Sequence, residues 1–225
     1  MGSPGLNDDF SAMAVAHTAG MDWQPSPSPT VWRKRLDLAG PAEAGRVTSV
    51  VRYDAKSRFH QHPHPDGEEI FVLDGVFCDE HGNYPAGTFL LNPEGFVHAP
   101  FSQQGCVLFV KLRQYPGADR RHIVVDTNSA PWLDTPAIGI TYQELFAETG
   151  DPVRIDHVRM APGSTSPEHD HPGGEEVYVL QGSCRDVFGT YHTGSWVRYP
   201  AGSRHRFVSE EGCRLYVKTG HLSDA

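Results

Sequence analysis

No apolar run in the chain approaches the roughly 18 residues that a membrane helix needs, so no helical span is expected. The N-terminal stretch lacks the basic-then-apolar pattern of a secretory signal, which makes the cytoplasm the expected compartment. Positive charge is scarce. Lys and Arg number 19 against 28 Asp and Glu, and the net charge of −9 excludes the basic face that nucleic-acid binding requires. The densest basic cluster, Trp32-Arg33-Lys34-Arg35, reads as an exposed strand or turn segment. Cysteine is limited to four residues, read as free thiols rather than bridges. Cys106 and Cys213 fall in apolar segments and read as buried packing. Long helical periodicity is missing, and the one stretch that reads as a short helix is 141–149. Turn formers are abundant: 23 Gly and 18 Pro point to many short strands, hence an all-β sandwich or barrel.

A repeat organises the chain. His62, His64, Glu68, Gly75, Gly87, Pro93, Gly95 and His98 recur 107 residues later as His169, His171, Glu175, Gly182, Gly194, Pro200, Gly202 and His205. Over residues 62–111 and 169–218, 22 of 50 positions are identical. The shared residues are largely His, Glu, Gly and Pro, which set ligand chemistry and turns, so the repeat carries more than a hydrophobic pattern. His-x-His on a strand puts both imidazoles on one face, because side chains alternate with period two. The turns at Pro65–Gly67 and Pro172–Gly174 then deliver Glu68 or Glu175 to the next strand. A later strand supplies His98 or His205 after a Pro-x-Gly turn. Three imidazoles and a carboxylate suit a divalent transition metal, and the mixed donor set leaves Zn, Fe and Mn open. The metal ligands expected in the first half are therefore His62, His64, Glu68 and His98. In the second they are His169, His171, Glu175 and His205.

Neighbouring residues compete for these roles. Glu69 and Glu176 follow the chosen carboxylates directly, so alternation turns them outward, solvated or bonded to an adjacent strand. His60 lies two residues before His62, but Pro167 stands at the matching position, so His60 reads as a supporting or rim residue. Lys56 stands where the second half has Gly163, which makes the first half's opening strand irregular.

The segments Gly67–Phe77, Asp79-Glu80, Tyr84–Gly87 and Gly105–Lys111, with Gly173–Leu180 and Gly212–Leu222 in the second half, resemble the ChrR-like class of the cupin superfamily. The resemblance runs from about Trp23 to Leu222 and implies a bicupin, two tandem double-stranded β-helix (jelly-roll) barrels with a metal in each. It also implies one of two roles. One is the sensory cupin domain of ChrR-type anti-sigma factors, which restrain extracytoplasmic-function sigma factors. The other is that of related small dioxygenases, which act on diketones or hydroxyacetophenones with non-haem iron. The anti-sigma factors bind their sigma factor through a helical zinc segment with a His-x3-Cys-x2-Cys pattern. Residues 1–45 here contain one histidine, His17, and no cysteine. Each half also has a serine, Ser102 or Ser209, where many cupins carry asparagine.

The expected organisation is a tail or short edge element over 1–22, a first barrel over 23–115, a linker over 116–131 and a second barrel over 132–225. The expected function is a metal-binding regulatory, stress-sensing module. The alternative is a non-haem metal-dependent dioxygenase acting on a small carbonyl compound. A small-molecule ligand and a homodimer are compatible with either role, a sigma factor only with the first. Catalytic residues are not named by the sequence.

Overall fold

Alternating apolar residues in short segments between Gly and Pro turns build strands throughout the chain. The computed structural model describes residues 5–222. Among them there is no α-helix, and one short 3-10 turn spans Thr18–Gly20. The described residues divide into two compact units, one holding 5–8 and 21–129, the other 9–20 and 130–222.

The first unit is built on an antiparallel sheet. Its strands lie in the order Ile123–Asp126, Thr88–Asn92, Glu68–Cys78, Cys106–Leu112, Arg46–Tyr53, Val31–Ala39 and Gln24–Pro25. Ile70, Val72, Leu90, Leu108 and Val110 project to one side of it and form the core with Phe77. The second unit repeats the arrangement with Ala14–His17, Ser195–Tyr199, Glu175–Arg185, Cys213–Thr219, Arg154–Met160, Ile140–Ala147 and Leu133–Asp134. Its core gathers Val177, Val179, Val197, Leu215 and Tyr191. The all-β, tandem-barrel expectation is met.

One reading is corrected and two are narrowed to one of their alternatives. Residues 141–149 are no helix, since Ile140–Ala147 is a strand paired with Arg154–Met160. A bulge lies between Glu144 and Phe146, and the adjacent Leu145 and Phe146 are both buried, a break in period two. Ile140, Thr141, Tyr142 and Phe146 are β-branched or aromatic and favour the strand. Residues 9–20 hold the short edge element allowed for over 1–22, and 116–129 hold a strand as well as the connection. Ala14–His17 pairs with Ser195–Arg198 in the second unit, and Ile123–Asp126 pairs with Thr88–Leu91 in the first. Glu69 and Glu176 do turn away from the metal-side face, but they are buried rather than solvated. They stand opposite Lys111 and Lys218 in register, and Glu176 also meets His221 at 3.3 Å. A carboxylate with a cationic neighbour on the adjacent strand tolerates burial that an unpaired one would not.

Lys56 adopts a left-handed backbone with φ 63°, where Gly163 in the second unit has φ 77°. A non-glycine residue there carries a steric penalty, so Lys56→Gly is expected to stabilise the protein by up to about 1 kcal/mol. The urea midpoint should rise at unchanged slope, and a fall would show that the exposed Lys56 side chain contributes more than the backbone gains.

Candidate metal centre

In each unit two short strands bring the histidines together. His62–Pro63 pairs with Val97–His98 so that His62 stands opposite His98, and His169–His171 pairs with Ser203–His205 so that His169 stands opposite His205. Asp66 (φ 56°) and Gly67 (φ 74°) make the left-handed turn into the long strand that begins at Glu68; Gly174 (φ 73°) does so before Glu175. A side chain at Gly67 would strike the Tyr115 carbonyl oxygen, at 2.4 Å from its Cβ, so glycine is required there.

In the second unit, ligand-capable atoms of His169, His171, Glu175 and His205 all lie within 4.8 Å of one another. In the first, His62, His64 and His98 form such a group without Glu68. Glu68 stands at its edge, Oε2 being 3.4 Å from His64 Nε2 and 3.7 Å from His98 Nε2 while accepting a hydrogen bond of 3.0 Å from Asn92 Nδ2. Tyr199 replaces Asn92 in the second half and makes no such bond to Glu175. All six residues His64, Glu68, His98, His171, Glu175 and His205 are buried, while the His169 side chain is 42% exposed.

Supporting bonds fix the rings. His98 Nδ1 is 3.1 Å from Asp79 Oδ2, and His205 Nδ1 is 3.3 Å from Asp186 Oδ2. Asp79 also accepts from the backbone N–H groups of His81 and Gly82 and from the Tyr84 hydroxyl; Asp186 accepts from Phe188, Gly189, Tyr191 and Tyr199. A carboxylate on Nδ1–H leaves Nε2 as the electron-pair donor and raises its basicity. His62 Nδ1 meets the His60 carbonyl oxygen at 2.8 Å, and His169 Nδ1 meets that of Pro167 at 2.9 Å. The His60 side chain itself is exposed, and a backbone carbonyl serves equally from His or Pro, which is why the two halves differ there.

The residues fit a divalent metal. His64 Nε2 and His98 Nε2 face each other at 2.8 Å, although His98 Nδ1 is already committed to Asp79. Two imidazole nitrogens bound at about 2.0–2.1 Å to one ion at right angles would stand roughly 3 Å apart. In the second unit His205 Nε2 and Glu175 Oε1 are buried without hydrogen-bond partners, and His171 Nδ1 stands 3.5 Å from Glu175 Oε2. His205 Nε2 and Glu175 Oε1 are 3.1 Å apart, a charge contact not aligned as a hydrogen bond. Orphaned buried donors and acceptors that converge on one point require a ligand, and a cation satisfies all of them.

The charges follow from the same contacts. Burial would lower the pKa of His205, but Asp186 and Glu175 outweigh it and raise the value to about 9. His98 is raised in the same way, burial being outweighed by Asp79 and Glu68. Burial would raise Glu175, but His169 and His205 hold it at about 2. Burial lowers His64 and His171 and favours the neutral form that coordinates metal.

The surroundings differ between the two. In the second unit the Tyr199 and Phe207 rings lie 4.1 and 4.4 Å from His205, centroid to centroid. Asn92 and Pro100 hold these positions in the first unit, where a cavity of about 420 Å³ reaches His62, His64, His98 and Glu68. Its walls are apolar, including Val51, Ile70, Phe77, Leu108 and Val110. Arg33 and Arg35 also line it, which corrects their reading as an exposed segment. They lie two apart on the strand Val31–Ala39 and share its inner face, whereas Lys34 covers the Trp23 ring at 4.5 Å.

Asp79, Asp186 and the two arginines went unassigned in the sequence. Asp79 and Asp186 were detectable, being identical between the halves at the 107-residue offset. Ser102 and Ser209 donate to the carbonyls of Val76 and Ser183 at 2.7 and 2.6 Å, so both serve the backbone. His17 lies on the edge strand of the second unit, Nδ1 3.0 Å from Ser195 Oγ. All four cysteines are free and buried.

The family model of the ChrR cupin-like domain matches the chain twice, over residues 11–116 and 120–223. The chain belongs to the ChrR cupin-like family. Among curated proteins no relative is detected. Solved cupin structures share its fold at low identity. A protein of Nostoc punctiforme provisionally assigned as a dioxygenase superposes with a TM-score of 0.79 at 16% identity, covering 96% of this chain and 85% of that one. Ylba of E. coli, from the DUF861 family, gives 0.72 at 15% identity, covering 95% and 93%. Oxalate decarboxylase OxdC of Bacillus subtilis gives 0.66 at 10% identity, covering 93% and 77%. No helix among the described residues of this cupin is long and apolar enough to cross a membrane.

Proposed function

We propose that this cupin is a metal-dependent enzyme acting on a small carbonyl compound, with the first barrel as its reaction site. The observation that carries this reading is the apolar cavity of about 420 Å³ that reaches the His62, His64 and His98 cluster, with Glu68 beside it. Clefts of that size and lining are typical of small-ligand sites, whereas a purely structural metal site is closed by its own ligands. In this reading His62, His64, His98 and Glu68 hold the metal of the first barrel, and His169, His171, Glu175 and His205 hold that of the second. An iron ion bound there would supply a Lewis acid and a site for dioxygen. The protein's own groups perform the remaining tasks. Asp79 keeps His98 in the donor tautomer. Asn92 orients Glu68, whose carboxylate can accept a proton from an acidic carbon of the substrate. Val51, Ile70, Phe77 and Leu108 exclude bulk water. The likeness to a protein provisionally assigned as a dioxygenase agrees with this direction.

The test is oxygen uptake by protein loaded anaerobically with Fe(II) and given a panel of β-diketones and aryl ketones. Uptake should fall to background in His62→Ala but persist in His169→Ala. No uptake above that of a His62→Ala/His169→Ala double variant, with iron confirmed in the wild-type protein, would favour the second reading. That reading, a metal-binding regulatory module in the cytoplasm, rests on the match of both halves to the ChrR cupin-like family. In neither case is tight sigma-factor binding expected, because residues 1–45 hold no cysteine. Stoichiometric co-purification of a sigma factor would overturn that expectation.

A further inference from the structure

The first barrel's cavity is lined, besides the histidines, by two arginines that share one counter-ion. Arg33 grips Glu43 with both terminal nitrogens, and Arg35 reaches the same carboxylate at 3.0 Å. The two arginine side chains are only 18% and 16% exposed, whereas Glu43 is 53% exposed and sits on the turn between the strands Val31–Ala39 and Arg46–Tyr53. Arg33 Nε is buried with no hydrogen-bond partner. The third lining arginine, Arg113, has its own partner in Asp66 at 3.3 Å, and the other lining carboxylate, Glu68, is engaged with Asn92 and the histidines. One positive charge is therefore left over at Arg33 and Arg35, inside a chain whose net charge is −9. The second barrel has Tyr142 and Glu144 at the matching strand positions, with Arg154 neutralised by Glu144 and Asp156. The cationic wall belongs to the first barrel.

We propose that the first barrel takes a small organic anion, its carboxylate bound by Arg33 and Arg35 and its carbonyl oxygen directed to the histidine cluster. This rests on the reading of that cavity as the ligand site and adds the substrate class. The sheet order sets the span. Arg33 and Arg35 lie three strands from the Glu68 strand, about 14 Å along the curved sheet at about 4.8 Å per step. The apolar side chains between them fit a hydrocarbon or aryl body. Planar guanidinium groups match a carboxylate with paired hydrogen bonds, and a half-buried arginine pair gains more from one than a solvated pair would. Glu43, exposed and on a turn, is the group that a ligand carboxylate displaces or joins.

Calorimetric titration of the full chain loaded with Zn(II), which is redox-inert, tests this without turnover. The probes are 4-acetylbenzoate and 5-oxohexanoate, each beside its uncharged amide. Each acid is expected to bind at least roughly tenfold tighter than its amide, as one charge-assisted contact predicts. Arg33→Gln and Arg35→Gln should each abolish the preference for acid over amide. Glu43→Gln removes the competing anion from an exposed turn, and should tighten acid binding further. Acids and amides that bind alike, acids that fail to bind, or a preference that survives both arginine variants and vanishes only on metal removal would each overturn the proposal. Oxygen uptake with neutral ketones and no acid preference would retain the enzyme reading and remove this one.

Discussion

His205→Ala is expected to empty the second site and leave the first one filled. His205 is the only ligand candidate supplied by its strand, and its Nε2 points into the cluster with no other partner. Removing a direct ligand should weaken binding by well over about a hundredfold, since changes to supporting residues alone cost about 10- to 100-fold. His98→Ala should do the same to the first site. Each unit encloses its own cluster, so metal per chain should fall from two to one in either variant. Asp186→Asn and Asp79→Asn form the graded control. Each keeps the ligand but loses the carboxylate on Nδ1, so the expected loss is about 10- to 100-fold in affinity with stoichiometry regained at high metal. Elemental analysis after dialysis against a weak chelator reads both effects. Loss of both metals from one alanine variant would show that the two sites do not fill independently. A wild-type value clearly below one metal per chain, with no gain on reconstitution, would remove the metal assignment altogether.

The clusters were legible because their logic is local and repeated. His62 and His64, or His169 and His171, are two apart on a strand; the turn glycines and the late histidine recur at one offset. Period two and turn chemistry suffice to gather them. Glu175 sits within its cluster but Glu68 at the edge of its own, where Asn92 on the neighbouring strand bonds its carboxylate and the second half has Tyr199 instead. Cross-strand effects of that kind depend on register, which spacing within one segment does not contain. The same limit hid the arginines. Trp32–Arg35 looked like a solvated cationic run because three cations stand together, yet alternation directs Arg33 and Arg35 inward and Lys34 onto Trp23. The bulge between Glu144 and Phe146 breaks period two within 141–149 in a related way: one extra residue shifts the phase, and only the partner strand Arg154–Met160 reveals it.

Metal affinity at the second site is expected to depend steeply on pH, with a matching inversion in stability. His205 holds its proton up to about pH 9 in the metal-free protein, where burial opposes the charge but Asp186 and Glu175 prevail. A metal must displace that proton, so affinity should fall about tenfold for each pH unit below 9, the factor for one competing proton. Glu175, held at about 2, stays ionised across this range and adds nothing to the slope. For folding, the sign runs the other way. A histidine whose pKa rises from 6.5 to about 9 on folding stabilises fully below 6.5, and that contribution is lost as pH climbs through 9. A carboxylate lowered from 4.5 to about 2 stabilises above 4.5, and that contribution is lost as pH falls through 2. The metal-free second barrel should therefore be most stable between about pH 4.5 and 6.5 as far as these two groups decide it. From pH 6.5 to 9 the melting temperature of the chelated protein should fall, while that of the metal-loaded protein should hold or rise because tighter binding offsets the lost ion pair. Asp186→Asn removes one source of the raised value, so it should flatten both slopes. Parallel melting curves for chelated and loaded protein over this range would show that His205 does not carry the proton that the metal replaces.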